Sequence, residues 1–422
     1  MISDIGTFQK PIKDRFLKLF GGIGICFIAL SANAKEVISM NKAISLSLAQ
    51  HPELRVYAHK SEAALALVEQ AKVGRPMTFN AVAEDALGTG SYSGVKGMQT
   101  TLSISWLLEK DIIASRVKLA NTQAATANVE REVKAMDVAS ETARVFITIL
   151  SQIEKLKLAK LAEQQAQEVL KQITVKVQAG KLFAIDELRA KAALSLFTLE
   201  VEDLTHEIEA SKAQLAAQWR GNADFEVSGD LSKIPSIKDL DTALATLTSN
   251  PKLKRFLVEQ EVMQSEIDLA KKEQNPAWEV SAGVRRNEVV DDYAFTAGIS
   301  IPLGGDNRNQ GLISSLQAKQ NQSRAESDAL YQRISTEALL LSHKLRHNRH
   351  VIDSLSNQSI PLLEDASKKA QRAYELGSYR YTDLYAVQQE LVNAQSQLVE
   401  AYTNIQLFNI ELERLTGTSV SR

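Results

Sequence analysis

The distribution of helix-breaking residues constrains this chain more than any other feature. None of its eight prolines lies between residues 77 and 234, and no glycine lies within 98–179, 181–220, 312–376 or 378–416. These glycine-free stretches are rich in Ala, Leu, Gln, Glu and Lys, which favour helix. The 422 residues alone suggest two or three domains, but this pattern predicts very long helices.

Composition excludes several classes of function. The chain has 49 Lys and Arg against 51 Asp and Glu, a formal net charge of −2. This balance argues against nucleic-acid binding through bulk positive charge. Hydrophobic residues make up 44% of the chain, enough to bury a core. A single cysteine, Cys26, excludes both a disulfide framework and a zinc site made of thiolates.

The first 34 residues have the layout of a cleaved secretory signal peptide. A basic region precedes an apolar run at 19–30, and small residues precede a cut after Ala34. One alternative is a membrane anchor, but this run is too short to span a bilayer. A second alternative is lipidation of Cys26, which the bulky Ile25 before it disfavours. The mature chain is therefore predicted to be exported, without a helix that spans a membrane.

An internal repeat divides the mature chain. Four pairs of landmarks recur at separations of 199, 200, 197 and 196 residues: Pro52 and Pro251, Pro76 and Pro276, Gly180 and Gly377, Gly221 and Gly417. Such regular spacing indicates two copies of one unit. We predict a first repeat at 35–221, a linker at 222–238, a second repeat at 239–417 and a tail at 418–422.

Each repeat is predicted to contain the same elements in the same order. An opening helix precedes two strands, a very long helix, a tight turn and a returning helix. The predicted ranges are 41–73, 77–87, 99–108, 110–178 and 184–219, and then 239–273, 277–286, 293–303, 309–375 and 382–416. Pro361 is expected to kink the second long helix. Apolar residues from Leu384 to Leu415 step by three and four, which indicates a coiled-coil seam.

The strands alternate between apolar and small or polar residues, as in Tyr293, Phe295, Ile299 and Ile301. This pattern fits any half-buried antiparallel strand, and it also fits the strands of a membrane barrel. Four strands cannot close a barrel in lipid, because the open edges would leave backbone groups unpaired. Two chains would give eight strands with a filled interior, and three would give twelve with a lumen. A pore therefore favours three chains.

On these features the chain resembles the TolC family of outer-membrane efflux proteins. The resemblance covers essentially the whole mature chain and includes the turns GKLFAIDEL, from Gly180, and GSYRYTDL, from Gly377. The segments Asn250-Pro251 and Ile301-Pro302-Leu303 are most similar to the CzcC-like heavy-metal subgroup. The resemblance implies a mainly α fold with a small β part. It implies a homotrimer whose 12-stranded outer-membrane β-barrel continues as a periplasmic α-helical barrel.

The resemblance also implies a function and partners. The chain is expected to be a passive exit channel, not an enzyme, in the outer membrane of a Gram-negative bacterium, extending into the periplasm and contacting outer-membrane lipid. It would export small toxic solutes, metal cations or drugs, with a periplasmic adaptor (membrane fusion) protein and an inner-membrane pump of the RND type. No cofactor is implied. A channel for type I protein secretion and a periplasmic coiled-coil adaptor remain as alternatives.

In this family the two turns form the periplasmic tip. The residues that the resemblance places at the tip and aperture are Gly180, Asp186, Gly377, Tyr379, Arg380 and Asp383. Asp383 matches the first acidic position of an aperture ring that favours cations, whereas Ala386 occupies the second position. Asp186 occupies the equivalent place in the first repeat, with Tyr379 and Arg380 as candidate polar partners. The alternative is that both aspartates only cap the returning helices.

One further cluster could bind a metal ion. Three histidines, His343, His347 and His350, share one face of the second long helix, and two histidines at this spacing can be metal ligands. Lysine and arginine residues within the same turns would repel a cation. We therefore interpret this segment as a solvated helix face and predict no metal site.

Overall fold

The computed structural model describes residues 36–234, 240–275, 277–304 and 307–417. The predicted signal peptide at 1–34, Cys26 and the tail at 418–422 lie outside these residues. From Glu36 onward the chain forms a single unit, so its two halves fold together. The boundaries of the two repeats stay a prediction, although the order of elements recurs as expected.

The first half contains the longest helix of the described chain. Its opening elements are β1 (Glu36–Ile38), α1 (Met40–Gln50) and α2 (Pro52–Ala71). They are followed by β2 (Thr78–Glu84), a 3₁₀ turn (Gly90–Tyr92) and β3 (Gln99–Leu108). A hairpin of α3 (Lys110–Gln178) and α4 (Ala184–Ala217) leads to β4 (Phe225–Val227). At 69 residues, α3 is roughly 100 Å long.

The second half repeats this order. Its elements are α5 (Leu240–Thr246), a 3₁₀ turn (Leu247–Ser249), α6 (Pro251–Gln274), β5 (Trp278–Asn287), β6 (Asp292–Ser300), α7 (Gln310–Ser354), α8 (Ile360–Glu375) and α9 (Tyr381–Thr416). The predicted helix at 309–375 is helical from 310 to 375, with a π-helical turn at Leu355–Ser359 between its two α-helical parts, α7 and α8. Pro361 lies two residues after this turn, in the first turn of α8. Its ring removes a backbone donor, which explains the local change in hydrogen bonding.

The four longer strands form one antiparallel sheet in the order β2-β3-β5-β6. The central pair, β3 and β5, joins the two halves of the chain, with Leu108 opposite Trp278 and Trp106 opposite Val280. One face of the sheet is apolar and exposed, and Phe295 on β6 is 94% exposed. The opposite face carries small and polar residues. The alternation predicted from the sequence is confirmed, with the apolar side unburied in the single chain.

A two-stranded parallel sheet of β1 and β4 was missed by the sequence analysis. These strands have only three residues each, too few for an alternating pattern to be recognised. They lie beside a hydrophobic core that includes Phe146, Ile149 and Trp219, and the rings of Trp219 and Phe225 are 5.9 Å apart. This core holds the start of the described chain against α3.

The predicted coiled-coil seam of α9 faces other helices. Leu384, Ala401, Ile405 and Leu415 are buried in this seam, and they belong to two separate hydrophobic clusters along the helix. None of the helices in the described part of the chain combines the length and apolar character that crossing a bilayer requires.

Candidate functional site at the two hairpin turns

Both long hairpins reverse direction at a glycine in the left-handed conformation. Gly180 has φ of +69° and Gly377 has φ of +81°. In each turn, the residue after the glycine donates to a carbonyl five positions earlier, from Lys181 to Lys176 and from Ser378 to Ala373, each at 2.9 Å. This pattern closes a helix C-terminus and favours glycine. The two turns therefore have equivalent backbone geometry.

The capping alternative for the two aspartates is wrong. The residues that cap α4 and α9 are Phe183 and Arg380, and neither side chain forms a capping hydrogen bond. Asp186 and Asp383 each lie three residues further along, inside the first helical turn. At this position a carboxylate still interacts favourably with the helix dipole. The structure thus gives the two aspartates matching places in the two repeats.

Asp383 and Arg380 are brought together by the second turn. The Arg380 guanidinium donates from Nε to Asp383 Oδ2 at 3.0 Å and from Nη2 to Oδ1 at 3.3 Å. Thr382 Oγ1 also donates to Asp383 Oδ1 at 3.3 Å. The Arg380 side chain is 83% exposed, so solvent screens this pair. Asp383 carries its charge beside a cation of the same turn.

Asp186, in the first returning helix, lies close enough to two tyrosines to influence them electrostatically. Burial raises the pKa of Tyr374, and the nearby Asp186 carboxylate adds to this shift. Burial likewise raises the pKa of Tyr381 to about 12, with contributions from the neighbouring tyrosines and Asp186. Both phenols therefore stay neutral at physiological pH, and their rings pack in a cluster with Ile173 and Leu384.

Lys176 connects the two hairpins near their turns. Its Nζ donates to the carbonyl oxygen of Tyr374 at 3.2 Å and lies 3.9 Å from the centre of the Tyr374 ring. A cation over an aromatic face is favourable, more so when it is partly shielded from water. This contact joins α3 to α8 and so joins the first repeat to the second.

Some of the expected contacts are not formed within the chain. Arg380 pairs with Asp383 and not with Asp186, and Tyr379 forms no hydrogen bond to Asp186 among the described residues. Lys176, Tyr374 and Tyr381 also belong to this site, although they were not predicted from the sequence. A local signal existed for the tyrosines, since four of the nine in the chain fall within 374–385.

The three histidines lie on the exposed side of α7. The Nδ1 atom of His343 lies 3.0 Å from Nη2 of Arg346. Among the described residues there is no grouping of three or more His, Cys, Asp or Glu that could hold a metal ion.

The first of these turns lies within a segment that matches a known protein family. Residues 43–219 match the family model described as Outer membrane efflux protein. This match covers the first repeat, and together with the similarities below it supports a CzcC-like outer membrane efflux protein. It is 24% identical to the cobalt-zinc-cadmium resistance protein CzcC of Cupriavidus metallidurans, over 93% of this chain and 89% of that protein. It is 26% identical to the nickel-cobalt-cadmium resistance protein NccC of Alcaligenes xylosoxydans xylosoxydans, over 70% of this chain and 68% of that protein.

Solved structures share the fold of this efflux protein. CusC matches with a TM-score of 0.70 and 15% identity, covering 90% of this chain and 92% of that one. The outer membrane protein VceC of Vibrio cholerae matches with a TM-score of 0.72 and 17% identity, covering 90% and 96%. The predicted mainly α, TolC-like fold is confirmed.

These comparisons also establish the location and the role of the protein. The chain is a passive efflux channel of the outer membrane that extends into the periplasm, and it is not an enzyme. Its partners are two further copies of itself, a periplasmic adaptor and an inner-membrane pump. Three protomers with four strands each supply the 12-stranded barrel, and the exposed apolar face of the sheet has the character of a lipid-facing surface.

Proposed function

We propose that this channel exports heavy-metal cations delivered by a pump of the RND type. The main observation that supports this proposal is the similarity to CzcC. It extends over 93% of the chain and is therefore not limited to the hairpins shared by all such channels. NccC and the nickel and cobalt resistance protein CnrC of Cupriavidus metallidurans are also similar to it. All three names refer to resistance to metals.

We propose that the tip forms the aperture, with Gly180, Asp186, Gly377, Tyr379, Arg380 and Asp383 as its residues. Three copies of Asp383 in a trimer would form a ring of carboxylates, which attracts cations electrostatically. In the arrangement described above, each carboxylate is paired with Arg380. The ring therefore attracts metal cations most strongly when Arg380 moves away, which would couple selectivity to opening.

The substrate proposal is tested by growth inhibition of a deletion strain. Resistance to Co²⁺, Zn²⁺, Cd²⁺ and Ni²⁺ is measured beside resistance to dyes, detergents and antibiotics, with the wild-type gene and an empty vector as complementing plasmids. We expect sensitivity to the metals that the wild-type gene corrects. Sensitivity to organic toxicants alone would contradict metal export while leaving the role of an efflux channel intact.

The pump type is tested separately, by cross-linking in cells and identification of the co-purified proteins. We expect an RND pump together with an adaptor. Recovery of an ATP-driven transporter in place of the RND pump would instead favour the type I secretion alternative.

A further inference from the structure

An open cavity of about 700 Å³ lies where the sheet meets the helices. We call it the junction cavity; its lining includes Arg75, Leu108, Lys110, Lys272 and Trp278. Leu108 and Trp278 are directly opposite each other on β3 and β5, and each is about half exposed. Both belong to the apolar face of the sheet, so this wall of the cavity is continuous with the lipid-contacting surface.

The charge of the junction cavity is positive. Arg75, Lys110 and Lys272 line it together with the carboxylates of Glu109 and Asp111, so basic groups exceed acidic ones by one. Lys272 Nζ lies 3.9 Å from Asp111 Oδ2, so this cation is partly compensated. Lys110 forms no ion pair with any residue of the described ranges. Glu109 also lines the cavity, but its side chain is only 5% exposed and accepts from Arg116 Nη2 at 2.9 Å. Arg116 and, in part, Arg75 compensate its charge. The exposed side chains of Arg75 and Lys110 form no ion pair at salt-bridge distance within the described ranges and remain for an anion.

The position of Arg75 is fixed by Glu109. The backbone N–H of Arg75 donates to Glu109 Oε1 at 2.6 Å. Gly74 lies close to the same carboxylate, since a Cβ there would be 3.2 Å from Glu109 Oε1 and 3.1 Å from Ile113 Cδ1. A buried carboxylate and a glycine thus hold this segment against the start of α3. The backbone that carries Arg75 is therefore held in place, while the side chains of Arg75 and Lys110 are exposed and reach into the cavity.

The position of the cavity limits what can occupy it. In the sheet order β2-β3-β5-β6, the outer strands are β2 and β6, which face the neighbouring protomers in a closed barrel. The cavity lies beneath the two central strands, away from both edges, and it is at the end of the sheet from which the long helices leave. In the membrane this end is the periplasmic boundary, where tryptophan is favoured and basic side chains reach lipid phosphates.

We propose that the junction cavity binds the phosphate headgroup of an anionic phospholipid in the periplasmic leaflet of the outer membrane. Arg75 and Lys110 neutralise the phosphate, and an acyl chain extends along Leu108 and Trp278. Each trimer would hold three such lipids, one for each pair of central strands. The bound lipids would fix the depth of the barrel in the bilayer while the helices below it move.

The proposal is tested on the purified full-length trimer by native mass spectrometry, with dioleoylphosphatidylglycerol added to the detergent. We expect up to three lipids per trimer. The variant Arg75→Gln/Lys110→Gln should bind the lipid at least about tenfold more weakly than the wild type, since each cation at a membrane surface contributes to binding an anionic lipid. The charge-matched control is Lys96→Gln/Lys181→Gln, which removes two cations far from the cavity and should bind as the wild type does. Wild-type binding by the cavity variant, or equal weakening in both variants, would overturn the proposal.

Two further arms separate the remaining explanations. Inorganic phosphate at the same concentration should not displace the lipid; displacement would indicate a site for free phosphate instead. Arg75→Lys/Lys110→Arg keeps both charges and should retain binding, so it tests the site even if the uncharged variant does not assemble. Loss of binding in this charge-conserving variant, with the trimer intact, would contradict recognition by charge.

Discussion

The side chain of Asn250 donates a hydrogen bond of 2.7 Å from Nδ2 to the carbonyl oxygen of Leu415. Its Oδ1 accepts from the backbone N–H of Lys252 at 2.7 Å. The same amide therefore caps the start of α6 and also satisfies a carbonyl in the last turn of α9. Asn250 is 1% exposed. In the first repeat His51 has the equivalent place, and its Nδ1 accepts from the N–H of Glu53 at 3.2 Å.

Removing this amide should destabilise the protein. Asn250→Ala deletes a helix cap and leaves a buried carbonyl without its donor, which should cost about 1–3 kcal/mol. Thermal unfolding of the purified trimer measures the effect. Asn393→Ala is the control, because Asn393 lies exposed on α9 and bonds only to Gln389 of the same helix among the described residues. Equal unfolding temperatures for the two variants would contradict the role given to Asn250.

Substitution of the turn glycines should destabilise the protein through backbone strain and not through steric clashes. A Cβ at Gly180 or Gly377 would meet nothing within 4 Å, but both residues have positive φ. Alanine at either position should therefore cost about 1 kcal/mol of stability through strain. Gly311→Ala is the matched control, since Gly311 is equally uncrowded but lies within α7. That substitution should leave stability unchanged or raise it, and destabilisation of all three variants to the same degree would refute the strain argument.

Arg380 and Asp383 should act on ion selectivity in opposite directions. Arg380→Gln removes the cation that pairs with the carboxylate, so cation preference in single-channel recordings should rise; Asp383→Asn should lower it. Stability should change by less than about 1 kcal/mol, because the pair is exposed. The matched control is Lys369→Gln, which breaks a similar pair with Asp365 on α8. Unchanged selectivity in both tip variants would remove the pair from the aperture.

The tip should loosen at high pH through Tyr381. Its pKa is raised from 10.0 to about 12 in the folded protein. The folded state therefore favours the neutral phenol, and this contribution to folding stability is complete below pH 10 and is lost as pH rises towards 12. Tyr381→Phe should reduce the loss of stability across this window, measured by thermal unfolding at closely spaced pH values. Tyr379→Phe removes a more exposed phenol of the same turn and should behave as the wild type does. A Tyr381→Phe variant with the wild-type pH profile would show that this phenol does not limit stability.

The sequence by itself determined the elements whose signals are local. The range of α3, from Lys110 to Gln178, follows from a stretch without proline or glycine, and Gly180 and Gly377 end the long helices because only they adopt positive φ there without strain. The alternation of the strands and the seam of α9 likewise record which faces are apolar. The family resemblance followed from the same features, because a repeated pattern of local elements survives low sequence identity.

Only the tertiary structure decided which distant residues meet. Lys176 contacts Tyr374 from 198 positions away, and β1 pairs with β4 although neither strand is long enough to show a pattern. The partner of Asp383 and the identity of the capping residues depended on the path of the chain through each turn. Such contacts are selected by packing and electrostatics summed over many residues, and no local segment of the sequence contains that sum.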